Sequence, residues 1–287
     1  MLNLQTIHKP TTIVDALMLL TQSGVVALGG GTNLIAEKRR DVRAVVDLSA
    51  LQLTFIETRG DGIAIGATTT LAQVVESVAL CDAASGVVTQ GARQTHANIL
   101  RNQATVAGTL IAEPDGIFAV VLSALDARVT RAFLENDAVA QQEIALADFF
   151  AQREMFLHNA LVTHITLPAE SLKRHAAIET VARTPSDKAI VSVCAALEME
   201  NGIVRAGAVA LGGVADTAWR ARDAEREILH QGLTDDVLDR AAMAATSALH
   251  PSNDPSVSLR ASFRGSAEYR TIMARVLTAR ALRGIRG

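Results

Sequence analysis

The order of apolar and polar residues predicts alternating helices and strands at the start of the chain. Apolar side chains recur at helical spacing over 12–21, and the short apolar run at 25–28 is typical of a buried strand. Three glycines follow that run, which indicates a tight turn into a short helix at 33–38. A second strand is predicted at 44–48. The unit is therefore a strand, a glycine turn, a helix and a strand.

The pattern that follows predicts further strands and three helices, one of which is buried. Thr70 precedes an apolar-periodic run and is expected to cap its helix, and a longer helix over 87–99 is expected to end before Arg101. The other predicted elements are strands at 62–67, 128–133 and 161–167 and a buried helix at 118–125.

The character of the chain changes at 168–172, where we predict a domain boundary. Two apolar segments beyond it, joined by Asn201-Gly202, are typical of a β-hairpin. The predicted elements of this part are strands at 189–199 and 202–211 and helices at 221–230, 235–249 and 266–283.

Composition and charge exclude several classes of protein. The 287 residues carry a formal net charge of −3 and no basic block, which argues against nucleic acid as the main partner. The chain has too few cysteines to hold an iron–sulfur cluster alone, and Cys81 and Cys194 are predicted to be small buried side chains in a reducing compartment. No apolar run is long enough to cross a bilayer, and the N-terminus lacks a signal-peptide pattern, so we expect the chain in the cytoplasm.

The first glycine turn, Gly29-Gly30-Gly31-Thr32-Asn33, has the composition of a pyrophosphate-binding loop. Successive backbone N–H groups form a concave donor surface, glycine permits close approach, and a helix N-terminus adds partial positive charge. An ordinary tight turn explains the same residues about as well. The contiguous glycines do not match the G-x-G-x-x-G spacing of a Rossmann motif.

The second segment, Thr105-Val106-Ala107-Gly108-Thr109, is interpreted in the same way, as a glycine-bearing turn. Its threonines offer hydroxyl groups, and Gly108 permits close approach. Glu113 and Asp115 follow, and their carboxylates are suited to accept hydrogen bonds from ribose or ribityl hydroxyls. A solvated loop is the simpler explanation of either acid taken singly.

Taken in order, these segments resemble the FAD-binding medium subunit of the molybdenum hydroxylases, the family of xanthine dehydrogenase and aerobic carbon monoxide dehydrogenase. The resemblance covers nearly the whole chain. The stretches ALGGGTNLIAEKRR and ILRNQATVAGTLIAEPDG are similar to the two FAD loops of the family, and VVDLSAL and IAIGATTTLAQV to the strands and helix between them. The stretches ALGGVADTAWRARDAE and AEYRTIMARVLTARAL are similar to its closing domain.

The resemblance implies an α+β fold and a redox function. A two-lobed FAD-binding domain of the vanillyl-alcohol-oxidase (PCMH) type is expected at 1–168, with lobes of about 1–53 and 54–168, and a small domain with an antiparallel sheet and helices at 172–287. The chain is expected to take electrons from 2Fe–2S clusters of a small partner subunit and to pass them from FAD to an external acceptor. A large partner subunit would hold the molybdenum cofactor, in a dimer of heterotrimers. A free-standing flavin oxidoreductase and a non-catalytic assembly protein that has lost FAD remain the alternatives.

The resemblance also implies cofactor-binding residues, with no catalytic residue and no metal ligand in this chain. His96 precedes the Arg-Asn pair near the flavin, although an ordinary partly exposed histidine explains it about as well. Asp115 matches an acidic residue after the second loop, and Val162 falls near an aliphatic residue that covers the flavin ring. The two loops supply the rest, Gly29, Gly30, Gly31, Thr32, Asn33, Leu34 and Ile35 from the first and Thr105, Val106, Ala107, Gly108 and Thr109 from the second.

Four departures from the family pattern carry expectations of their own. Ala107 replaces the first of two adjacent glycines, and because alanine resists positive φ, the second turn is expected to differ. Thr109 stands where the family usually has asparagine, and the loop over 113–116 is shortened. Glu179 stands where animal members have a lysine near the flavin, which weakens the case for NAD as the acceptor.

Overall fold

The computed structural model describes residues 4–37, 39–60, 62–136, 138–184, 187–250 and 265–286. Its strands are β1 (Thr6–His8), β2 (Val25–Leu28), β3 (Ala44–Asp47), β4 (Ile56–Arg59), β5 (Gly62–Gly66), β6 (Arg128–Glu135), β7 (Ala138–Ala145), β8 (Ala160–Pro168), β9 (His175–Val181), β10 (Val191–Glu200), β11 (Ile203–Gly212) and β12 (Trp219–Arg220). Its helices are α1 (Ile13–Leu20), α2 (Thr32–Glu37), α3 (Leu71–Glu76), α4 (Val78–Cys81), α5 (Val87–Thr95), α6 (Asn98–Arg101), α7 (Val106–Ala112), α8 (Ile117–Ala124), α9 (Leu146–Ala151), α10 (Arg153–Leu157), α11 (Ala169–Leu172), α12 (Arg222–Ile228), α13 (Asp235–Ala244) and α14 (Ala267–Arg286).

The strands form three sheets. A three-stranded parallel sheet has the order β1-β3-β2, and α1 and α2 supply the crossovers that parallel strands need. A five-stranded antiparallel sheet follows with the order β4-β5-β8-β6-β7. The C-terminal part, from β9 to α14, contains a four-stranded antiparallel sheet with the order β12-β11-β10-β9. The predicted boundary at 168–172 falls between β8 and β9, and it stays a prediction.

The C-terminal sheet is buried on both faces. One face, with Cys194 and Ala196, packs into the same hydrophobic cluster as α8, which is buried along its whole length. The other face, with Val193 and Leu197, packs against α12, α13 and α14. Because successive strand residues point to opposite faces, this double burial explains why Val193 to Leu197 is an unbroken apolar run.

Most of the predicted elements are confirmed. The strands predicted in the first part are β2, β3, β5, β6 and β8, and the buried helix is α8. The hairpin is confirmed as β10 and β11, with Asn201 and Gly202 both at positive φ (51° and 77°), the conformation that a two-residue hairpin turn requires. The helices of the C-terminal part are α12, α13 and α14. Lys38, the predicted end of α2, lies outside the described residues.

The single helix predicted over 87–99 was wrong. The structure has α5 and α6 instead, separated by His96 and Ala97 in extended conformations. Arg101 explains the break, because its guanidinium donates hydrogen bonds to the carbonyl oxygens of Arg93 (2.8 Å) and His96. These carbonyl groups at the end of α5 therefore find a side-chain partner rather than a further helical turn.

The prediction that both cysteines are buried holds for one of them. Cys194 is fully buried on β10, and burial raises the pKa of its thiol. Cys81 ends α4 and is exposed, so the prediction was wrong for this residue. Within the described ranges, no single helix is long and apolar enough to cross a membrane, and α7 and α8 reach that threshold only as a pair bent by 103°.

Replacing Thr70 by alanine is expected to lower the free energy of unfolding by about 1 kcal/mol, because the predicted cap is present as a full capping box. The Thr70 side chain accepts from the backbone N–H of Gln73 (3.2 Å), and the Gln73 side chain accepts from that of Thr70 (2.9 Å). Urea unfolding measures the change. The matched control is Ser77→Ala, because Ser77 precedes α4 without a side-chain cap bond; equal losses in both variants would contradict the prediction.

Candidate functional site

A cleft of about 1120 Å³ opens between the two parts of the chain. Its first wall is the end of β2 and the glycine loop up to Leu34, and its second is formed by Thr105, Gly108 and the segment that follows α7. Its third wall is the beginning and end of α10, including Arg153 and His158. The C-terminal part closes the cleft with Trp219, Arg270 and the segments 213–216 and 248–250.

The glycine loop connects β2 directly to the first turn of α2. Gly31 adopts φ of +72°, and its carbonyl oxygen accepts the backbone N–H of Ile35 (3.0 Å) as α2 begins. The side-chain nitrogen of Asn33 donates to Glu37 (2.8 Å), one turn further along the helix. The predicted sequence of strand, glycine turn and helix is thus confirmed, and the Asn33 side-chain amide already has a partner within α2.

Gly29 and Gly30 lie against the segment before α7. A Cβ atom on Gly30 would lie 1.6 Å from the carbonyl oxygen of Gln103, and one on Gly29 would lie 2.9 Å from Oγ1 of Thr105. Contacts below 3.0 Å to a backbone atom leave no room for a side chain. The glycine loop therefore packs directly on this segment, and the packing requires glycine at position 30.

The interpretation of residues 105–109 as a glycine turn was wrong, because this segment is the first part of α7. Thr105 is the N-cap of the helix, and its side chain accepts from the backbone N–H of Gly108 (3.2 Å). Neither Ala107 nor Gly108 is among the described residues that adopt a positive φ. The expected distortion at Ala107 was therefore wrong too, since alanine is well suited to a helix.

The acidic residues after α7 are buried. Glu113 is 9% exposed and Asp115 is 7% exposed, so the simpler explanation of a solvated loop was wrong for both. Glu113 is paired with Lys188, which precedes β10, and the backbone N–H of Ala218 donates to the carbonyl oxygen of Pro114 (2.7 Å). This short segment therefore joins the N-terminal part to the C-terminal part along one edge of the cleft.

His96 interacts electrostatically with Glu113 and Lys188, the ion pair between the two parts of the chain. Burial lowers its pKa, and Lys188 and Arg101 lower it further, while Glu113 acts in the opposite direction. The net pKa of His96 is below its ordinary value of 6.5, so the ring is neutral at pH 7.

The cleft brings together nine of the residues predicted to bind the cofactor. They are Gly29, Gly30, Gly31, Thr32, Asn33, Leu34, Thr105, Gly108 and Asp115. Six others do not line it: Ile35, which is exposed, and His96, Val106, Ala107, Thr109 and Val162. All of these assignments stay predictions.

Sequence reasoning missed the residues that line the cleft from its other two walls. Arg153, Trp219 and Arg270 are distant in sequence from both glycine-bearing segments. Trp219 and Arg270 lie in the two stretches that resemble the closing domain, but the resemblance assigned them no role in the cleft. The nearest signal was the Gly212-Gly213 pair in the first of these stretches. A Cβ atom on Gly212 would lie 2.4 Å from the carbonyl oxygen of Asp115, so this glycine allows the C-terminal part to approach the cleft.

Two family models match the chain. The model described as FAD binding domain in molybdopterin dehydrogenase matches residues 2–170. The model described as CO dehydrogenase flavoprotein C-terminal domain matches residues 176–285. Between them, the two models account for nearly the whole chain in the order that the resemblance predicted.

Individual relatives agree with the family models. The chain is 26% identical over 266 residues to the glyceraldehyde dehydrogenase medium chain of Sulfolobus acidocaldarius, covering 90% of this chain and 89% of the relative. It is 27% identical over 283 residues to the carbon monoxide dehydrogenase medium chain of Afipia carboxidovorans, covering 96% and 94%. The solved carbon monoxide dehydrogenase from Hydrogenophaga pseudoflava superimposes with a TM-score of 0.86 at 25% identity, covering 97% of this chain and 96% of the matched chain.

These matches confirm the predicted α+β fold, an FAD-binding domain followed by a small domain of sheet and helices, and FAD as the cofactor of this chain. The relatives are subunits of dehydrogenases, which confirms the oxidoreductase class. The chain belongs to the family of FAD-binding medium subunits of the molybdenum hydroxylases, of the carbon monoxide dehydrogenase type.

Proposed function

We propose that this chain is the electron-transfer subunit of a molybdenum hydroxylase. It takes electrons from 2Fe–2S clusters of a small partner subunit and passes them to an external acceptor. The observation that carries the proposal is the cleft in which the glycine loop meets Thr105 and Gly108. The relatives are named medium chains, which supports a small and a large partner subunit, the latter with the molybdenum cofactor. We propose a dimer of heterotrimers as the assembly.

The residues of this cleft fit FAD. The first loop presents backbone N–H groups at the start of α2, with no side chain on the three glycines to keep a pyrophosphate away. The hydroxyl of Thr109, the residue after Gly108, is buried and has no hydrogen-bond partner among the described residues. A buried hydroxyl without a partner is unfavourable. Thr109 does not line the cleft itself but follows Gly108, which does, so a polar ligand that reaches past Gly108 would satisfy this hydroxyl.

The nine residues that line the cleft are the ones we propose to contact the cofactor, and Thr109 would act through its hydroxyl. We keep Ile35, His96, Val106, Ala107 and Val162 as proposed members of the site. When bound, FAD supplies the electron-accepting and electron-donating chemistry. The side chains and backbone of this chain bind and orient it, and the ion pair of the buried Glu113 with the exposed Lys188 links the C-terminal part to the edge of the cleft.

Titration of the purified full chain with FAD tests the proposal against its two alternatives. We expect binding to saturate at one equivalent, no turnover of small organic donors with oxygen by the chain alone, and co-purification with 2Fe–2S and molybdenum-containing subunits from the native source. Turnover by the isolated chain would favour a free-standing oxidoreductase. Failure to bind FAD would favour the assembly protein.

The acceptor and the location are also proposals. Glu179 lies on β9, where it pairs with Val193 of β10, and its negative charge weakens the case for NAD as the acceptor. Comparing NAD, oxygen and a quinone as oxidants of the reduced complex tests this point. The cytoplasm stays the predicted location.

A further inference from the structure

Arg153 is a cation of the cleft that sequence reasoning did not single out. It begins α10 and is half-buried, and its Nη1 atom donates to the carbonyl oxygen of Ile111 (3.3 Å) near the end of α7. Throughout the described ranges, no aspartate or glutamate forms an ion pair with it, although Glu154 is its neighbour in sequence. The bond to Ile111 holds the guanidinium beside the helix whose first turn carries Thr105 and Gly108.

The other arginines of the cleft are engaged differently. Arg39 forms an ion pair with Asp41 (2.5 Å) and is exposed. Arg270 is buried, and its Nη1 atom donates to the carbonyl oxygen of Gly213 (3.0 Å), which fixes the C-terminal wall. Arg153 therefore brings to the cleft wall a charge with which no carboxylate of the described residues forms an ion pair.

We infer that the Arg153 guanidinium binds the pyrophosphate of FAD in this cleft, an inference that rests on the proposed function. The backbone N–H groups of the glycine loop donate hydrogen bonds but carry no net charge, whereas the pyrophosphate carries about two negative charges. A guanidinium presents planar donors that match phosphate oxygens and forms charge-assisted bonds, which are stronger than neutral ones. Arg153 thus supplies the positive charge that the two glycine-bearing segments lack.

This role predicts how binding depends on the phosphates of the ligand and on the salt concentration. The contribution of Arg153 belongs to the phosphates, so it applies to FAD and to ADP and is absent for riboflavin. It is also electrostatic, so added salt weakens FAD binding more in the unsubstituted chain than in a variant without the charge.

The experiment compares the full chain with Arg153→Gln and Arg153→Lys. Trp219 lines the same cleft and is the single tryptophan of the chain, so its fluorescence reports binding of ADP and riboflavin as well as FAD. For Arg153→Gln we expect FAD and ADP to bind about tenfold more weakly, with riboflavin unchanged, and a smaller loss for Arg153→Lys. The matched control is Arg240→Gln, which removes a positive charge at an exposed ion pair outside the cleft and is expected to leave FAD binding unchanged.

Each other outcome has a separate meaning. Equal losses for FAD and riboflavin would overturn the inference in favour of a general effect on the cleft, and thermal unfolding without ligand shows whether the variant is folded. Unchanged FAD affinity in Arg153→Gln would overturn it, while FAD binding by the unsubstituted chain still supports the proposed function. Weakened ADP binding to the FAD-loaded chain, with FAD affinity unchanged, would instead assign Arg153 to an acceptor nucleotide. Failure of the unsubstituted chain to bind FAD would reject the proposed function itself.

Discussion

Replacing Gly30 by valine is expected to abolish FAD binding and to destabilise the protein even without its cofactor. The sequence alone suggests that the new side chain would intrude on the phosphates. The structure adds a steric clash within the protein itself, because a Cβ atom at this position would lie 1.6 Å from the carbonyl oxygen of Gln103 and 2.5 Å from its carbonyl carbon. Backbone atoms cannot rotate away, so the glycine loop and the segment before α7 must separate. We expect a loss of about 3 kcal/mol in the free energy of unfolding, at the upper end of overpacking effects.

Two further variants separate the packing effect from a direct effect on the cofactor. Gly30→Ala is expected to behave much like Gly30→Val, because the Cβ atom itself makes the clash. Gly60→Ala is the matched control, since a Cβ atom there meets nothing within 4 Å. Urea unfolding of the cofactor-free chain and titration with FAD measure the two effects. A Gly30→Ala chain of unchanged stability would contradict the packing argument, and normal flavin content in Gly30→Val would contradict the proposed cradle.

Replacing Asp126 by alanine is expected to lower the free energy of unfolding by about 2–3 kcal/mol. Asp126 accepts hydrogen bonds from Nη1 of Arg174 (2.7 Å) and Nη1 of Arg220 (2.5 Å), and thereby joins the turn after α8 to the C-terminal part. The Arg174 side chain is only 9% exposed and would be left as a buried charge without a carboxylate. Arg220, at 13% exposure, would keep its ion pair with Glu225 (2.8 Å). The value is lower than for a fully buried pair because the Asp126 side chain is 40% exposed.

The ion pairs of Asp126 also predict how the loss of stability depends on pH. Burial raises the pKa of Asp126, but the charges and hydrogen bonds of Arg220 and Arg174 outweigh burial, so the pKa lies below its ordinary value of 3.8. The carboxylate therefore stabilises the fold fully above pH 3.8 and progressively less as the pH falls through its lowered folded-state pKa. Unfolding curves of the unsubstituted chain and of Asp126→Asn are expected to differ at neutral pH and to converge in acid. Asp41→Ala, at an exposed ion pair, is the control and should change little. A constant difference across the whole pH range would contradict the argument.

The strands that sequence reasoning missed share one place in the fold. β1, β4, β7, β9 and β12 are all edge strands of their sheets, whereas the central strands β3, β5, β6, β8, β10 and β11 were all predicted. A central strand has a neighbour on each side, and β5 and β8 are almost wholly buried, so that apolar residues predominate and leave a pattern in the sequence. An edge strand has one neighbour, so its residues are freer, and β7 is accordingly exposed over most of its length.

The first turn of α7 shows a second limit of predicting structure from local sequence. Gly108 and the flanking threonines indicated a turn, although Thr105 followed by buried Val106, Ala107 and Leu110 is also the pattern of a capped helix. The helix is selected because Val106 N and Ala107 N donate to the carbonyl oxygens of Thr69 and Ala67, in a neighbouring segment that is distant in sequence. Local composition allows both conformations, and the tertiary hydrogen bonds select one.

What the sequence by itself indicated is the central strands and the hairpin turn, because local backbone preference and burial leave periodic or compositional signals in the chain. The family and its cofactor entered through the resemblance of ordered stretches to a known family, since either glycine-bearing segment alone was ambiguous. Only the tertiary structure decided why Gly30 must be glycine, where His96 interrupts a helix, and which residues complete the cleft. Gln103 lies against Gly30, and Arg153 and Trp219 line the same cleft as the glycine loop, although all three are distant from that loop in sequence. No pattern within one segment indicates such proximity. The loop that we propose to bind the cofactor is thus one continuous segment of the sequence, whereas the cleft around it forms only once the two parts of the chain have packed together.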